Sequence, residues 1–225
     1  MISLSIQRKV QEVERSIPQA AVAIGALLQR ARAIIRGNNV FRRFLASSAF
    51  LIVGMTASAF YTASALRQFH SPESIVGIFA ILSIGSQIVG SALIGIVSDR
   101  LGTHRALQIC AITSIVSTGI ALIANSAEWY YAVFVFAGIT LGAETLTRYS
   151  FAAECAPADA RAFYVGLMNA WLAPFYLFNV AAGLLSNLYG YRMIFYLSFA
   201  SALVGLMVLA RISNPRNQEL ADRSN

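Results

Sequence analysis

Apolar residues run in six long blocks along most of this 225-residue chain, separated by short polar stretches. The blocks cover residues 44–66, 75–97, 106–125, 130–152, 163–186 and 193–211. A helix needs ~20 residues to cross a hydrocarbon core about 30 Å thick, and each block is close to that length. None alternates with period two, so helices rather than barrel strands are predicted. The intervening segments Arg67–Ser74, Ser98–Arg105, Asn125–Trp129, Ala153–Arg161 and Asn187–Arg192 are short, which makes neighbouring helices antiparallel. The predicted fold is an all-α membrane protein with a six-helix bundle over residues 44–212. A basic segment, residues 1–43, precedes it, and a polar cytoplasmic tail, residues 213–225, follows.

The first segment has its own periodicity. Ser16 followed by Pro18 is a helix start. Ile17, Ala20, Ala21, Ile24, Leu27, Leu28, Ala31, Ile34 and Ile35 recur at helical spacing, with Gln29, Arg30, Arg32 and Arg36 between them. The apolar run is too short to span, so an amphipathic helix lying along the inner membrane surface is predicted. Gly37-Asn-Asn39 should end it. No apolar core lies between a basic start and a small-residue cleavage site, so no cleaved signal peptide is expected.

Composition agrees with a membrane chain. It is 57% hydrophobic and 12% charged, with a mean hydropathy of +0.64. Soluble domains carry about 25% charged residues. The net charge of +7 comes almost wholly from arginine, Lys9 being the one lysine. These groups flank apolar blocks, where they face anionic headgroups. No basic-aromatic stripe points to nucleic acid. Fifteen basic residues fall on the side of the termini and the second and fourth loops, and Arg67 and Arg192 on the other. Both termini are therefore expected in the cytoplasm, and the chain in the plasma or inner membrane. Trp129, Tyr130, Tyr131, Tyr189 and Tyr191 would form an aromatic belt at the outer interface. Cys110 and Cys155 read as buried free thiols.

The second loop reads Gly95-Ile-Val-Ser-Asp99-Arg100-Leu-Gly102-Thr-His-Arg105. Asp99 can accept hydrogen bonds from a helix N-terminus, Gly102 permits a tight reversal, and the arginines reach carboxylates or phosphates. An ordinary positive-inside loop would explain the arginines but not the Gly-Asp-Gly spacing. The stretch resembles the G-x-x-x-D-R-x-G-x-x-R motif of the major facilitator superfamily. Glu154-Cys-Ala-Pro157-Ala-Asp-Ala-Arg161 resembles that family's E-x-x-P-x-x-x-R segment between the fourth and fifth helices, and Gly190-Tyr191-Arg192 is also similar. The resemblance covers about residues 40–212. It implies a cytoplasmic charge cluster of Asp99, Arg100, Arg105, Glu154 and Arg161 that locks one conformation and breaks in the other, with Gly95, Gly102 and Pro157 shaping it. Facilitators have two six-helix halves with the substrate near the midplane between them. One half is legible here. The fifth block lacks the Gly-x-x-x-Gly-Pro signature of N-terminal halves in exporters, and residues 1–43 resemble the linker between halves, so a C-terminal half is implied. The partners implied are membrane lipid, an unidentified small solute and a second half, supplied by a separate chain or a second copy.

Glu144 and Arg148 stand four apart on one face of the fourth block. Glu144 lies ten residues before Glu154, or about 15 Å into the membrane. An ionisable residue at that depth is a functional candidate, for a proton or for an anionic substrate on Arg148. The other reading is a mutually neutralised pair tying helices together. Tyr61, Gln87, Asn169, Trp171, Tyr176 and Asn179 are softer candidates for a cavity lining, with interhelical hydrogen bonds as the alternative. Gly138 and Gly142, and Ser86 and Gly90, are small-residue steps suited to close helix packing. Pro174 predicts a kink. His70 and His104 fall in loops without partner ligands, so neither a metal nor another cofactor is expected, and no nucleophile–base pair or nucleotide fingerprint suggests an enzyme. The function predicted is half of a secondary active transporter working by alternating access. The alternative is a non-transporting six-helix scaffold or assembly subunit. The topology is directly checkable. A reporter active only in the cytoplasm should work when joined at Asn225 and stay silent when joined after Asn125.

Overall fold

Six helices long and apolar enough to cross a membrane are present in the computed structural model. It describes the backbone of residues 16–70 and 72–212, and side chains from Gly25 onward. Arg8, Lys9, Arg15, Arg216, Arg223, the tail from residue 213 and the side chains of Ile17, Ala20, Ala21 and Ile24 lie outside the described residues. The described residues are helical and carry no strand. They divide into two units at the Arg42–Arg43 boundary.

The first unit contains α1, Ser16–Gly37. Helix α2, Asn39–Met55, begins directly after Asn38. The Asn38 side-chain oxygen accepts a hydrogen bond of 2.9 Å from the Phe41 amide, the geometry of an N-cap.

The spanning helices are Asn39–Phe69, Ile75–Leu101, Thr103–Ile123, Trp129–Glu154, Arg161–Tyr189 and Tyr191–Ala210. Two are interrupted. In the first span, α2 gives way to a 3₁₀ turn, Thr56–Phe60, and resumes as α3, Tyr61–Phe69. The Ser58 hydroxyl donates to the Met55 carbonyl at 2.7 Å, competing with the helix ladder where it tightens. The fifth span is α7, Arg161–Tyr176, and α8, Phe178–Tyr189, with Leu177 between them. Pro174 lies three residues before the break and removes the bond to the Ala170 carbonyl. Just beyond it the chain tightens, the Leu177 amide donating to the Pro174 carbonyl at 3.2 Å. The intact spans are α4, Ile75–Leu101, α5, Thr103–Ile123, α6, Trp129–Glu154, and α9, Tyr191–Ala210.

Two connections are tighter than the sequence pattern implies. The Ser98–Arg105 stretch is not a loop, since only Gly102 separates α4 from α5. Gly190 alone separates α8 from α9. Both hold positive φ, 91° and 78°, which glycine adopts without the Cβ penalty. Each donates its amide at 3.0 Å to the carbonyl four residues back, Ser98 and Ser186 respectively.

Helix α6 is the hub of the second unit and packs most extensively on α4 and α5. Small residues set that approach. A Cβ on Gly90 would stand 2.7 Å from the Ile139 Cα, one on Gly138 would strike the Ser86 hydroxyl, and one on Gly142 would strike the Gln87 carbonyl. Backbones this close gain dispersion contacts that larger side chains would prevent. An aromatic core of Tyr61, Phe79, Tyr130 and Phe195 closes the opposite end of the bundle from Gly102. Tyr130 is therefore not a belt residue. It is fully buried, and its hydroxyl shares a 2.9 Å hydrogen bond with Ser64. Trp129 and Tyr189 are exposed, while Tyr191 packs on Phe60 and beneath the Arg67 guanidinium.

The packing predicts a local sensitivity. Gly142→Val should destabilise the bundle by about 1–3 kcal/mol through overpacking, while Gly85→Val, where a Cβ meets open space, should change little. Unfolding curves of the purified variants measure both.

Candidate functional site

The helix interruptions of the first and fifth spans face one cleft. Its walls carry Ile52, Met55, Ser58 and Ala59 from the first span, Leu141, Glu144, Thr145 and Arg148 from α6, and Tyr176 and Asn179 from the fifth span. The volume is about 260 Å³. Within a membrane, irregular backbone is tolerated where it lines a cavity or packs in protein, because hydrocarbon offers no replacement hydrogen bonds.

Glu144 and Arg148 are 3% and 4% exposed. Helix α6 puts them on the same face one turn apart, with Oε1 of Glu144 3.2 Å from Nη1 of Arg148. Nη2 of Arg148 donates to the Tyr176 hydroxyl at 2.9 Å, tying α6 to the end of α7. Oε1 of Glu144 and Nε and Nη1 of Arg148 are nevertheless buried without a hydrogen bond. The two charged groups attract one another but are not aligned for a hydrogen bond, and these atoms are sealed from water, so a group entering the cleft meets them only when the pair separates.

Beside the cleft, and sharing Met55, Ser58 and Leu141 with it, lies a small cavity of about 10 Å³ bordered by Tyr61, Ser114, Ser117 and Thr140. That is about the size that holds one water. The buried Tyr61 hydroxyl bonds Thr118 at 2.9 Å and receives a bond from Ser117 at 3.2 Å. Thr113 and Thr140 join α5 to α6 at 2.8 Å. Tyr61 thus makes interhelical hydrogen bonds next to the cleft. Gln87 is half-buried at the α4–α6 contact, and Asn169 is exposed on α7, both away from the cleft. Asn179 is in its wall. Tyr176 proves the more informative of the softer candidates, because it holds Arg148.

At the Gly102 end, Asp99, Arg100, Arg105, Pro157 and Arg161 are exposed and Gly95 faces open space. Asp99 and Arg100 belong to the last turn of α4 rather than to a loop. Among the described residues Asp99 has no hydrogen-bond or ion-pair partner. Glu154 pairs with Thr103 instead of Arg161, the Thr103 hydroxyl donating a short hydrogen bond to its carboxylate. This joins the start of α5 to the end of α6. His104 also departs from its expected loop position. It is buried, and its Nε2 lies 2.9 Å from the Leu209 carbonyl, so it fastens α5 to α9. Nothing local marks this contact, since the hydrogen-bond partner is 105 positions away. Among the described residues no three metal-ligating side chains cluster. Neither cysteine is in a disulfide; Cys110 is buried and Cys155 half-buried. Burial, then the Glu154 charge, pushes the Cys155 thiol up to about 12.

A polytopic α-helical membrane protein with a polar cleft between interrupted helices is the class these features define. Residues 43–224 match the Major Facilitator Superfamily. The chain belongs to that superfamily, a family of membrane transporters, and the matched segment begins where the second unit begins. No curated protein matches it.

Two measurements probe the site. Glu144→Gln and Arg148→Gln should each cost about 3–5 kcal/mol of stability by leaving a buried charge unpaired. The double variant should cost clearly less than their sum, and strict additivity would show that the pair is not coupled. Cys155 should react with a thiolate-directed reagent about a hundredfold more slowly than a free thiol at neutral pH, because its raised pKa leaves it protonated.

Proposed function

We propose that these six helices act as one half of a secondary active transporter, moving a small solute by alternating access against a second six-helix half. The observation that carries the reading is the buried Glu144–Arg148 pair opening onto a cleft between two interrupted helices. Isolated charges in hydrocarbon are costly, so such groups mark solute or ion paths. Discontinuous helices at a cleft suit a carrier, since they free backbone groups for a ligand and bend at fixed points.

Burial supports the need for a second half. In the most apolar 18-residue stretch of the second and of the fifth span only 17% of residues are buried within the chain, against 61% in the first. Ile81, Ile84, Ile88, Val180, Leu184 and Leu188 form exposed apolar faces on those two helices. A second bundle, from a separate chain or another copy, would cover them and complete the cleft. The charged end formed by Asp99, Arg100, Arg105 and Arg161 lies at the cytoplasmic face in this reading. Their exposure leaves them available to close against the second half. Glu154, held by Thr103, keeps α5 and α6 together while that end opens and closes.

The test is the native mass of the chain, gently extracted from its own membrane. A complex with a second six-helix chain, or a homodimer, is the expected result. A lone monomer, or incorporation into a large unrelated assembly, would overturn the half-transporter reading. In the intact assembly, Asp99→Asn should lower uptake about tenfold or more while leaving membrane insertion unchanged, because it removes a charged contact made in one state only. Unchanged uptake would remove the charged end from the mechanism.

A further inference from the structure

The cleft also carries information about what it binds. Glu144 and Arg148 are its two charged residues. They meet through a single contact of 3.2 Å, and Glu144 Oε1 and Arg148 Nε and Nη1 lack hydrogen bonds although buried. Buried polar atoms in this state are costly, and a ligand that satisfies them gains what the pair leaves unmade.

Charge balance narrows the ligand. A molecule entering between the two groups must replace what each loses when they separate. An anion on Arg148 leaves the carboxylate of Glu144 uncompensated, and a cation on Glu144 strands the guanidinium. A ligand carrying both a carboxylate and an ammonium group compensates both, and the site stays neutral throughout. The guanidinium fork also matches a carboxylate well, since it offers parallel donors in one plane.

Size and lining narrow it further. The share of the cleft that these six helices enclose is about 260 Å³, room for the body of a small solute. Ile52 and Met55 from the first span and Leu141 from α6 give the cleft an apolar lining beside the charged pair. We propose that the cleft binds a small zwitterion with an apolar body. Its carboxylate meets Arg148, its ammonium meets Glu144, and its body lies against Ile52, Met55 and Leu141. The Tyr176 hydroxyl holds the guanidinium in place for this contact. The proposal rests on the reading of these helices as part of a carrier and assigns its solute class.

A series on one skeleton tests it. The chain, extracted from its own membrane with any second half that accompanies it and placed in lipid nanodiscs, is titrated with leucine, N-acetyl-leucine, leucine methyl ester and the doubly blocked N-acetyl-leucine methyl ester. These are a zwitterion, an anion, a cation and a neutral molecule at about pH 6, where a free α-amine is protonated. Leucine should bind, and each blocked form should bind on the order of a hundredfold more weakly, because one buried charge loses its partner. N-acetyl-leucine binding as tightly as leucine would overturn the proposal in favour of an anion site with a protonated glutamate. Equal binding of the neutral form would make it a hydrogen-bonding site without charge selection. Failure of leucine to bind would also overturn it.

Glu144→Gln should move the preference toward N-acetyl-leucine, and Arg148→Gln toward the methyl ester. A structural pair would give no such exchange. If either single variant fails to fold, the Glu144→Gln/Arg148→Gln double variant serves, with unfolding unaffected by leucine as the expected result. A chain that is monomeric by native mass yet selects leucine leaves this proposal standing and removes the half-transporter reading. A paired chain that ignores leucine does the reverse.

Discussion

Every polar group of the backbone must find its partner within the protein where no water reaches, and this constraint organises the molecule. It favours uninterrupted helices across the hydrocarbon. Four of the six spans comply. The two that do not are broken beside each other, at Thr56–Phe60 and at Leu177, and the same place holds the buried Glu144–Arg148 pair. Each departure would be costly alone. Placed around one cleft, they supply one another with neighbours other than lipid. The Tyr176 hydroxyl, at the end of α7 where the fifth span is interrupted, reaches Arg148.

Rigidity and freedom are distributed accordingly. Helix α6 carries glycines on one face, where α4 approaches to backbone distance, and the charged pair on another. Hydroxyl bonds from Thr113 to Thr140 and from Ser117 to the Val133 carbonyl hold α5 on the same helix. The charged pair therefore sits on the least yielding part of the bundle. The opposing walls belong to the interrupted helices, which have defined points at which to bend. A fixed charged surface facing jointed walls is a workable arrangement for a carrier, since one side positions the solute while the other moves. At the Gly102 end, the Thr103–Glu154 and His104–Leu209 contacts bind α5 to α6 and α9 while the arginines stay exposed.

Much of the site was legible in the sequence, and the remainder was hidden for identifiable reasons. Glu144 and Arg148 announced themselves because charge within a long apolar block is rare, and their separation of four fixes a common helix face. Pro174 pointed to the fifth span, which is interrupted three residues on, at Leu177. The first-span break had no comparable signal, because Thr56, Ala57, Ser58 and Ala59 fit a helix and only the Ser58 hydroxyl against Met55 marks the change. Gln87, Asn169 and Asn179 looked equivalent as isolated polar residues, yet only Asn179 lies in the cleft wall. Polarity inside an apolar block says that a partner is needed, not which face of the helix meets it. The same limit applies to Tyr130, which reads as an interface aromatic and is buried against Ser64 and Phe79.

The sequence alone determined the class of architecture. Block length sets membrane crossing, short connections set reversal, and glycine marks the two turns whose φ other residues avoid. It also carried the family resemblance, through spacing within short stretches of the chain. Tertiary structure decided everything that depends on rotation of one helix against another. That includes which polar residues share a cleft, the pairing of Glu154 with Thr103 rather than Arg161, and the burial of His104 beneath the end of α9. The physical reason is the range of the interactions. Hydrophobic length and backbone geometry act within a few residues and are written locally. Hydrogen bonds and ion pairs between helices depend on ångström-level placement of distant segments, which packing of the whole bundle fixes.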